Sequence, residues 1–426
     1  MSDAEQSFPP PTASYEADPG NVQRVLLLYS GGLDTSVMLK WIQDRYEAEV
    51  VCLTVNLGQP GEDYAVIVEK ARRLGALECH VVDAREEFAR EYVLPAIKAN
   101  ALYGGGYPLF TALGRPLIAK LAVDYARSNG CDTIAHGCTG KGNDQVRIEA
   151  TVATLAPELR TIAPVRSWQM GREEEIAYAR EHGIPIKSHQ AGGTGGEIAP
   201  YSIDDNLWGR SSEGRWIEEL DHAPEDDVFQ LVTRPELAPD EAETVEIEFE
   251  RGVPVGFDGE RMELVALLER AAEVAARHGV GIVDHIEDRI VGLKVRDIYE
   301  APAAALLLPA HQELEKLVCT IHQNQFKGGL ERQWAYLVYA GLWWEPLRGD
   351  LDAYMESVNE QVTGTIGMKL YKGHARVVTR SSPNAVYDQA LASFGESGGL
   401  FSQTASPGFI ELWSLQSRMA WRLRNR

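Results

Sequence analysis

The 426-residue chain has no apolar run approaching the roughly 18 residues needed to cross a bilayer, which excludes a helical membrane span. Its first twenty residues, MSDAEQSFPPPTASYEADPG, carry neither the basic segment nor the apolar stretch of a secretion signal, and a disordered tail is expected there. Cysteine is scarce: Cys52, Cys79, Cys131, Cys138 and Cys319 are scattered, odd in number and include no CxxC pair. That pattern argues against a disulfide framework and a structural zinc site, and it places the chain in a reducing, cytoplasmic compartment. Positive charge is short as well, with 41 Lys and Arg against 63 Asp and Glu and a formal net charge of -22. A nucleic-acid partner is therefore not expected, because holding a phosphate backbone needs a basic face that releases counterions. There is no internal repeat and no coiled-coil heptad.

What is present is 44% hydrophobic content, enough to bury a large core, in a length that suggests two or three domains at roughly 100 to 200 residues each. From about residue 21 to residue 190, short apolar runs (25–29, 50–55, 80–82, 133–135, 161–165) alternate with longer helical patterns, the signature of an α/β domain with a parallel sheet. In segment 116–128, Leu117, Leu121 and Tyr125 stand four apart with Ile118 and Ala122 beside them, one stripe that covers a sheet. The pattern breaks at 191–196 (AGGTGG), and 218–243 is dense in Asp, Glu and Pro, an exposed connection. Beyond it, Val245, Ile247 and Phe249 alternate with acidic residues and RGVPVGFDGE reads as a hairpin, so an α+β domain begins, with a helix over about 261–278. At the end, Leu412, Leu415, Met419 and Leu423 form a helical stripe within 409–426, and Arg418, Arg422, Arg424 and Arg426 suit a helix C-terminus. Such a stripe must cover either its own core or a neighbouring subunit.

Residues 29–36 read YSGGLDTS, directly after the apolar run Val25, Leu26, Leu27 and Leu28 and before Val37, Met38, Trp41 and Ile42 at helical spacing. A strand that passes through two glycines into a helix presents free N–H groups and about half a positive charge to a phosphate. A Walker loop would need a lysine followed by Ser or Thr after its last glycine. Here the hydroxyls of Ser30, Thr35 and Ser36 and the carboxylate of Asp34 stand instead. The loop resembles that of the ATP pyrophosphatases, which cleave ATP between the α- and β-phosphates and adenylate an acceptor. Asp34 has two readings, contact to Mg2+ or cap of its helix.

A second loop, 136–149, reads HGCTGKGNDQVRIE and also follows a strand. Its glycines allow close backbone approach, while Thr139, Asn143, Asp144 and Arg147 offer a hydroxyl, an amide, a carboxylate and a guanidinium fork. That set suits a zwitterionic amino acid, whose carboxylate meets Arg147 and whose ammonium meets Asp144.

With both loops in hand the chain closely resembles the argininosuccinate synthase family from about Arg24 to the C-terminal helix. The intervening segments match too: VNLGQ at 55–59, ALYGGGYPLFTALGRP at 101–116, YSIDDNLWGRSSEG at 201–214 and IEDRIVGLKVRDIYE at 286–300. The resemblance implies a parallel-sheet nucleotide-binding domain of the ATP pyrophosphatase, adenine nucleotide alpha hydrolase-like type (21–190, after a tail at 1–20), an α+β synthetase domain (191–383) and a C-terminal arm with an oligomerisation helix (384–426). It further implies a homotetramer, which favours a neighbouring subunit for the last helix. The activity it implies joins L-citrulline to L-aspartate with ATP, giving argininosuccinate, AMP and diphosphate, with Mg2+ assisting.

By the same resemblance Leu28, Tyr29, Ser30, Gly31, Gly32, Leu33, Asp34, Thr35, Ser36, Val55, Gly137 and Thr139 would bind ATP. Thr139, Asn143 and Asp144 would hold aspartate. Citrulline would lie against Tyr107, Thr111, Ala112, Asn143, Arg147, Ser202, Ser211, Glu287 and Tyr299, with Glu287 gripping its amino group. No residue is assigned as a covalent nucleophile or base, since positioning and charge neutralisation supply the rate. Two positions depart from the family pattern: Ala112 stands where a serine is common, and Cys138 where alanine is expected. Taken singly, Ser202 also reads as a helix cap, residues 287–289 as a charged turn, and Tyr107 and Tyr299 as core aromatics. Another ATP pyrophosphatase or a non-catalytic nucleotide sensor stays open. However, no amidotransferase cysteine with its own domain and no basic face is visible, and a sensor leaves the second domain's motifs without a use.

Overall fold

Five short apolar runs make one parallel sheet. The computed structural model describes residues 19–168, 170–185, 201–392 and 401–426. Nearly all of the expected tail, the AGGTGG stretch and residues 393–400 lie outside the described residues. The chain runs through β1 (Arg24–Leu28), α1 (Leu33–Tyr46), β2 (Glu49–Asn56), α2 (Tyr64–Arg73) and β3 (Glu78–Asp83). Then α3 (Arg85–Glu87) passes through a π-helical stretch, Phe88–Val93, into α4 (Leu94–Lys98). After these come α5 (Phe110–Ser128), β4 (Thr133–Ala135), α6 (Asp144–Leu155), β5 (Arg160–Ile162), α7 (Pro164–Ser167) and α8 (Arg172–Glu181). The sheet order is β3-β2-β1-β4-β5 and every pair is parallel. Strand order reverses between β1 and β4, so the loops leaving their carboxyl ends flank the crevice where open α/β sheets bind ligands.

Burial explains where these elements begin and end. In β1, Val25, Leu26 and Leu27 are wholly buried, and α1 turns Val37, Met38, Leu39 and Ile42 onto the sheet. The fifth strand is shorter than the apolar run 161–165, because Pro164 opens α7. Proline is favoured at a helix start, where its missing N–H is not needed. Conversely, α5 begins six residues before Pro116, so that residue sits inside it. Burial of Phe110, Thr111, Ala112 and Leu113 outweighs the cost of the lost hydrogen bond.

The second domain has two antiparallel sheets. Its elements are β6 (Ser202–Asn206), β7 (Gly209–Glu213), β8 (Glu243–Glu250), β9 (Val253–Phe257), β10 (Glu260–Arg261), α9 (Leu264–Arg277), β11 (Ile282–Asp288) and β12 (Lys294–Glu300). They continue with α10 (Pro302–Val318), α11 (Ile321–Tyr339), α12 (Pro346–Asn359), β13 (Gly364–Tyr371), β14 (His374–Ser381), α13 (Gln389–Ala392), α14 (Ser406–Trp413) and α15 (Leu415–Arg424). One sheet is ordered β10-β9-β8-β13-β14, the other β11-β12-β7-β6. In β8 the buried residues are Val245, Ile247 and Phe249, alternating with more exposed ones as the sequence predicts.

The stretch 218–243 is not simply an exposed connection. Val228, Val232 and Ala238 are buried, and the buried carboxylate of Glu300 accepts the backbone N–H groups of Gln230, Leu231 and Val232 at 3.3, 2.8 and 2.6 Å. The hairpin of β6 and β7 docks on the first domain. Asn206 Nδ2 donates to the Phe110 carbonyl at 2.8 Å, Trp208 Nε1 to that of Pro108 at 2.9 Å, and the Leu207 N–H to that of Leu57 at 2.8 Å. The expected terminal helix is two helices, α14 and α15, parted at Ser414, whose hydroxyl donates to the Glu411 carbonyl at 3.3 Å. Its apolar stripe does not cover its own core: Leu412 and Leu423 are 75% and 63% exposed.

Candidate functional site: a two-compartment cleft

The loop from β1 to α1 is held by its own polar groups. Ser30 Oγ and Thr35 Oγ1 are 3.1 Å apart, and the Gly32 N–H points to Ser30 Oγ at 3.3 Å. Ser36 is turned inward, its hydroxyl donating to the Gly32 carbonyl at 2.5 Å and lying 3.0 Å from the Tyr29 hydroxyl. Gly31 has φ of +74°, and a Cβ there would stand 2.8 Å from Ile67 Cγ1, so no other residue fits without strain. Its carbonyl accepts from Lys70 Nζ at 2.9 Å. Gly32 is the residue capping α1, no side chain caps that helix, and Asp34 lies in its first turn, which removes the capping role for Asp34.

Ser30, Gly32, Leu33, Asp34 and Thr35 line a cavity of about 510 Å3. The opposite wall brings in Gly137, Thr139, Asn143, Asp144 and Arg147 from the second loop and α6, Tyr107 and Thr111 from around the start of α5, and Ser202, Ser211, Glu287 and Tyr299 from the second domain. A second cavity of about 330 Å3 adjoins it and shares Ser30, Arg115, Gly137, Cys138, Ile203 and Asp204. Leu28, Tyr29, Val55, Ile67 and Ile118 give that compartment a largely apolar face. Gly31, Ser36 and Ala112, expected at the site, line neither compartment. Gly31 and Ser36 shape the loop from within, and Ala112 is wholly buried, with its N–H directed at the Tyr107 hydroxyl at 3.4 Å.

The electrostatics centre on Asp144. Burial opposes its charge, but the guanidinium groups of Arg115 and Arg147, at 2.9 and 2.8 Å, hold its carboxyl down to about 2. Asp144 and Arg147, expected to face opposite ends of an amino acid, are thus paired with each other. Arg147 also donates from Nε to the Tyr339 carbonyl at 3.0 Å, and its buried Nη2 has no hydrogen-bond partner among the described residues. Arg115 reaches across to Asp204 of β6, tying the two domains.

On the far wall, Glu287 is buried in β11 and is no charged turn. It accepts from the Tyr299 hydroxyl and, at 2.6 Å, from that of Tyr339. Burial and then the Glu287 charge push Tyr299 well up, so it stays a donor. Beside it Asp297 is pushed up to about 7 by burial and then by Glu213 and Glu287, against the pull of Arg289. Ser202 opens β6 and is no helix cap, while Ser211 faces Tyr299 across the β7–β12 pair.

Sequence reasoning missed Arg115, Asp204, Glu213, Arg289 and Asp297 on the cavity wall and Tyr339 behind it. Arg115 had a local signal, standing in the quoted segment 101–116; Tyr339 lies in an apolar stretch of α11 with none.

A glycine-bearing loop at the reversal of a parallel sheet, opening onto a polar chamber that a second domain also lines, is the ligand-binding arrangement of a two-domain α/β enzyme. Two family descriptions match the chain, "Arginosuccinate synthase N-terminal HUP domain" over residues 24–185 and "Arginosuccinate synthase C-terminal domain" over 201–420. Argininosuccinate synthase of Rubrobacter xylanophilus is 54% identical over 396 residues, 93% of this chain and 94% of that protein. That of Pyrococcus furiosus is 48% identical over 400 residues, 94% of this chain and 95% of that protein. Among solved structures, a U34-tRNA thiolase from Methanococcus maripaludis covers 39% of this chain and 58% of its own at 18% identity with a TM-score of 0.26, too slight a likeness to bear on function. The chain belongs to the argininosuccinate synthase family.

Proposed function

We propose that this cleft joins L-citrulline to L-aspartate with ATP, the adenosine in the smaller, more apolar compartment and the phosphates and the two amino acids in the larger one. The observation that carries the reading is Arg147, a buried guanidinium with an unpartnered Nη2 in the same cavity as Ser30 and Thr35. A buried cation left partly unbonded is costly, so an anionic ligand group belongs beside it.

In this reading Leu28, Tyr29, Val55 and Gly137 receive the adenosine part, and Ser30, Gly32, Leu33, Asp34 and Thr35 receive the phosphates at the start of α1. Gly31 and Ser36 hold the loop's shape. Citrulline lies against Tyr107, Thr111, Asn143, Arg147, Ser202, Ser211, Glu287 and Tyr299, and aspartate against Thr139, Asn143 and Asp144. The ureido oxygen attacks the α-phosphorus and diphosphate departs with the electron pair of the broken bond. The aspartate amine then attacks the ureido carbon, AMP leaves with its oxygen, and the amine proton passes to solvent or phosphate. The protein's part is to align these groups and neutralise charge. No group of three or more His, Cys, Asp or Glu suited to a metal occurs among the described residues, and Asp34 would be the protein contact for Mg2+. Mg2+ supplies charge neutralisation on the leaving diphosphate.

We place the boundary of the oligomerisation arm at residue 384 and read the exposed stripe of α14 and α15 as the contact that builds a homotetramer. The absence of a long apolar helix among the described residues and the scattered cysteines support a cytoplasmic location. The test is diphosphate release with Mg-ATP and neither amino acid, each alone, or both. Sustained release only with both, matched by argininosuccinate, is expected; release indifferent to citrulline would overturn the assignment.

A further inference from the structure

Tyr339, at the end of α11, lines neither compartment and is wholly buried, yet it touches both groups of substrate-facing residues. Its hydroxyl accepts from Asn143 Nδ2 at 2.7 Å and lies 2.6 Å from Glu287 Oε1. The direction of these bonds is fixed by their other partners. Asn143 Oδ1 accepts the Ile290 N–H at 3.0 Å, so its amide nitrogen must face the phenol. The second carboxylate oxygen of Glu287 already accepts from Tyr299, so Glu287 is acceptor to both phenols. Burial and then the Glu287 charge push the Tyr339 phenol far up, which keeps it protonated. The Asn143 amide therefore donates to the Tyr339 hydroxyl, whose own proton goes to the nearer Glu287 carboxylate, with the Asp288 carbonyl a second acceptor at 3.0 Å. The same residue braces Arg147 twice: its carbonyl accepts from Nε at 3.0 Å, and its ring lies 5.0 Å from the guanidinium carbon. Tyr103 stacks on that ring at 3.5 Å between ring centres.

We infer that Tyr339 is a positioning residue that couples the aspartate-facing loop to the citrulline-facing strand, so that filling one amino-acid subsite orders the other. This rests on the proposed assignment of Asn143, Arg147 and Glu287. Removing the hydroxyl leaves the Asn143 amide without its acceptor and Glu287 with a single phenol, although Tyr339 touches no substrate. A buried polar group left unmatched costs enough for about a tenfold effect. The nucleotide loop shares none of these bonds.

The experiment is steady-state kinetics of Y339F, varying each substrate in turn. The expected result is KM for citrulline and for aspartate each raised about tenfold, with KM for ATP within twofold and kcat within about threefold. Unchanged KM for both amino acids, or an equal rise for ATP as general loosening would give, overturns the inference. Should Y339F not fold, E287Q reports instead. Glu287 is assigned to citrulline alone, so a rise in aspartate KM reads the coupling through Tyr339. Aspartate KM unchanged while citrulline KM rises removes the coupling and leaves the site assignment standing. Citrulline KM unchanged in E287Q removes the assignment itself.

Discussion

Replacing Arg147 by lysine keeps the positive charge and removes the planar fork. In the structure the three nitrogens have different tasks: Nη1 pairs with Asp144 at 2.8 Å, Nε donates to the Tyr339 carbonyl at 3.0 Å, and Nη2 has no hydrogen-bond partner among the described residues. An ammonium can keep the Asp144 pair, but it cannot also reach the other two positions. The lost bond to the Tyr339 carbonyl predicts about 0.5–1.5 kcal/mol of lost stability. Loss of a charge-assisted bond from Nη2 to a substrate carboxylate is worth about 1.5–3 kcal/mol, or roughly 10- to 150-fold in kcat/KM. The assay is diphosphate release by R147K with citrulline varied at saturating ATP and aspartate, then with ATP varied, alongside thermal unfolding. A fall of that size for citrulline with ATP little affected is expected. Citrulline kcat/KM within threefold of the parent, in a folded variant, would refute the assignment of Arg147 to a carboxylate. An equal loss for ATP would show that the whole cleft had loosened.

Three further outcomes follow from the same geometry. G31A forces a side chain into a left-handed backbone and against Ile67, so denaturant unfolding should show about 1–3 kcal/mol less stability, with weaker ATP binding; an unaltered midpoint speaks against the strain. Cys138 is only partly buried and lies on the wall shared by both compartments, so complete alkylation there should abolish activity and bound ATP should slow the labelling. Full activity after complete modification would remove that residue from the cleft's working surface. Asp297 is raised to about 7, so between the ordinary carboxylate range and about 7 the native state binds more protons than the unfolded one. Its contribution to stability then falls as pH rises through that window and stays low above it. D297N should flatten the difference in melting temperature between pH 5 and pH 8 relative to the parent, and an unchanged difference would count against the raised value.

How much of this was legible in the sequence depended on distance along the chain. The two loops could be read because strand, glycines and hydroxyls stand next to each other in YSGGLDTS and HGCTGKGNDQVR, and local order is what a sequence displays. Helix limits were less legible where burial outweighed propensity, as at Pro116, where an apolar face carried the helix six residues upstream. The connection 218–243 looked solvated because its composition is acidic, but Glu300, some seventy residues away, ties its backbone down. Tyr339 was invisible for the same reason. Its partner Asn143 is 196 residues distant, and nothing near it marks a polar task within an apolar helix.

The pairing of Asp144 with Arg115 and Arg147 changes how the cleft must accept its substrates. From the sequence, Asp144 was expected to grip an ammonium and Arg147 a carboxylate, as if each waited alone. In the structure two guanidinium groups and two carboxylates, Asp144 and Asp204, neutralise one another across the domain boundary. Charges withdrawn from water are costly when unpaired, and these pairs avoid that cost. In the proposed assignment the aspartate ammonium takes a share of Asp144 by exchange, and the guanidinium valence thereby released adds to Arg147 Nη2 for the citrulline carboxylate. Charge is conserved at each stage, and no bare ion is left in a low-dielectric cleft. In that reading a pair of ligands that brings only one of the two charges leaves a protein ion unmatched, so the pre-formed pairs select against simple amines and simple acids. Selectivity of that kind follows from the paired state, and it would be absent had Asp144 and Arg147 stood apart as the linear sequence implied.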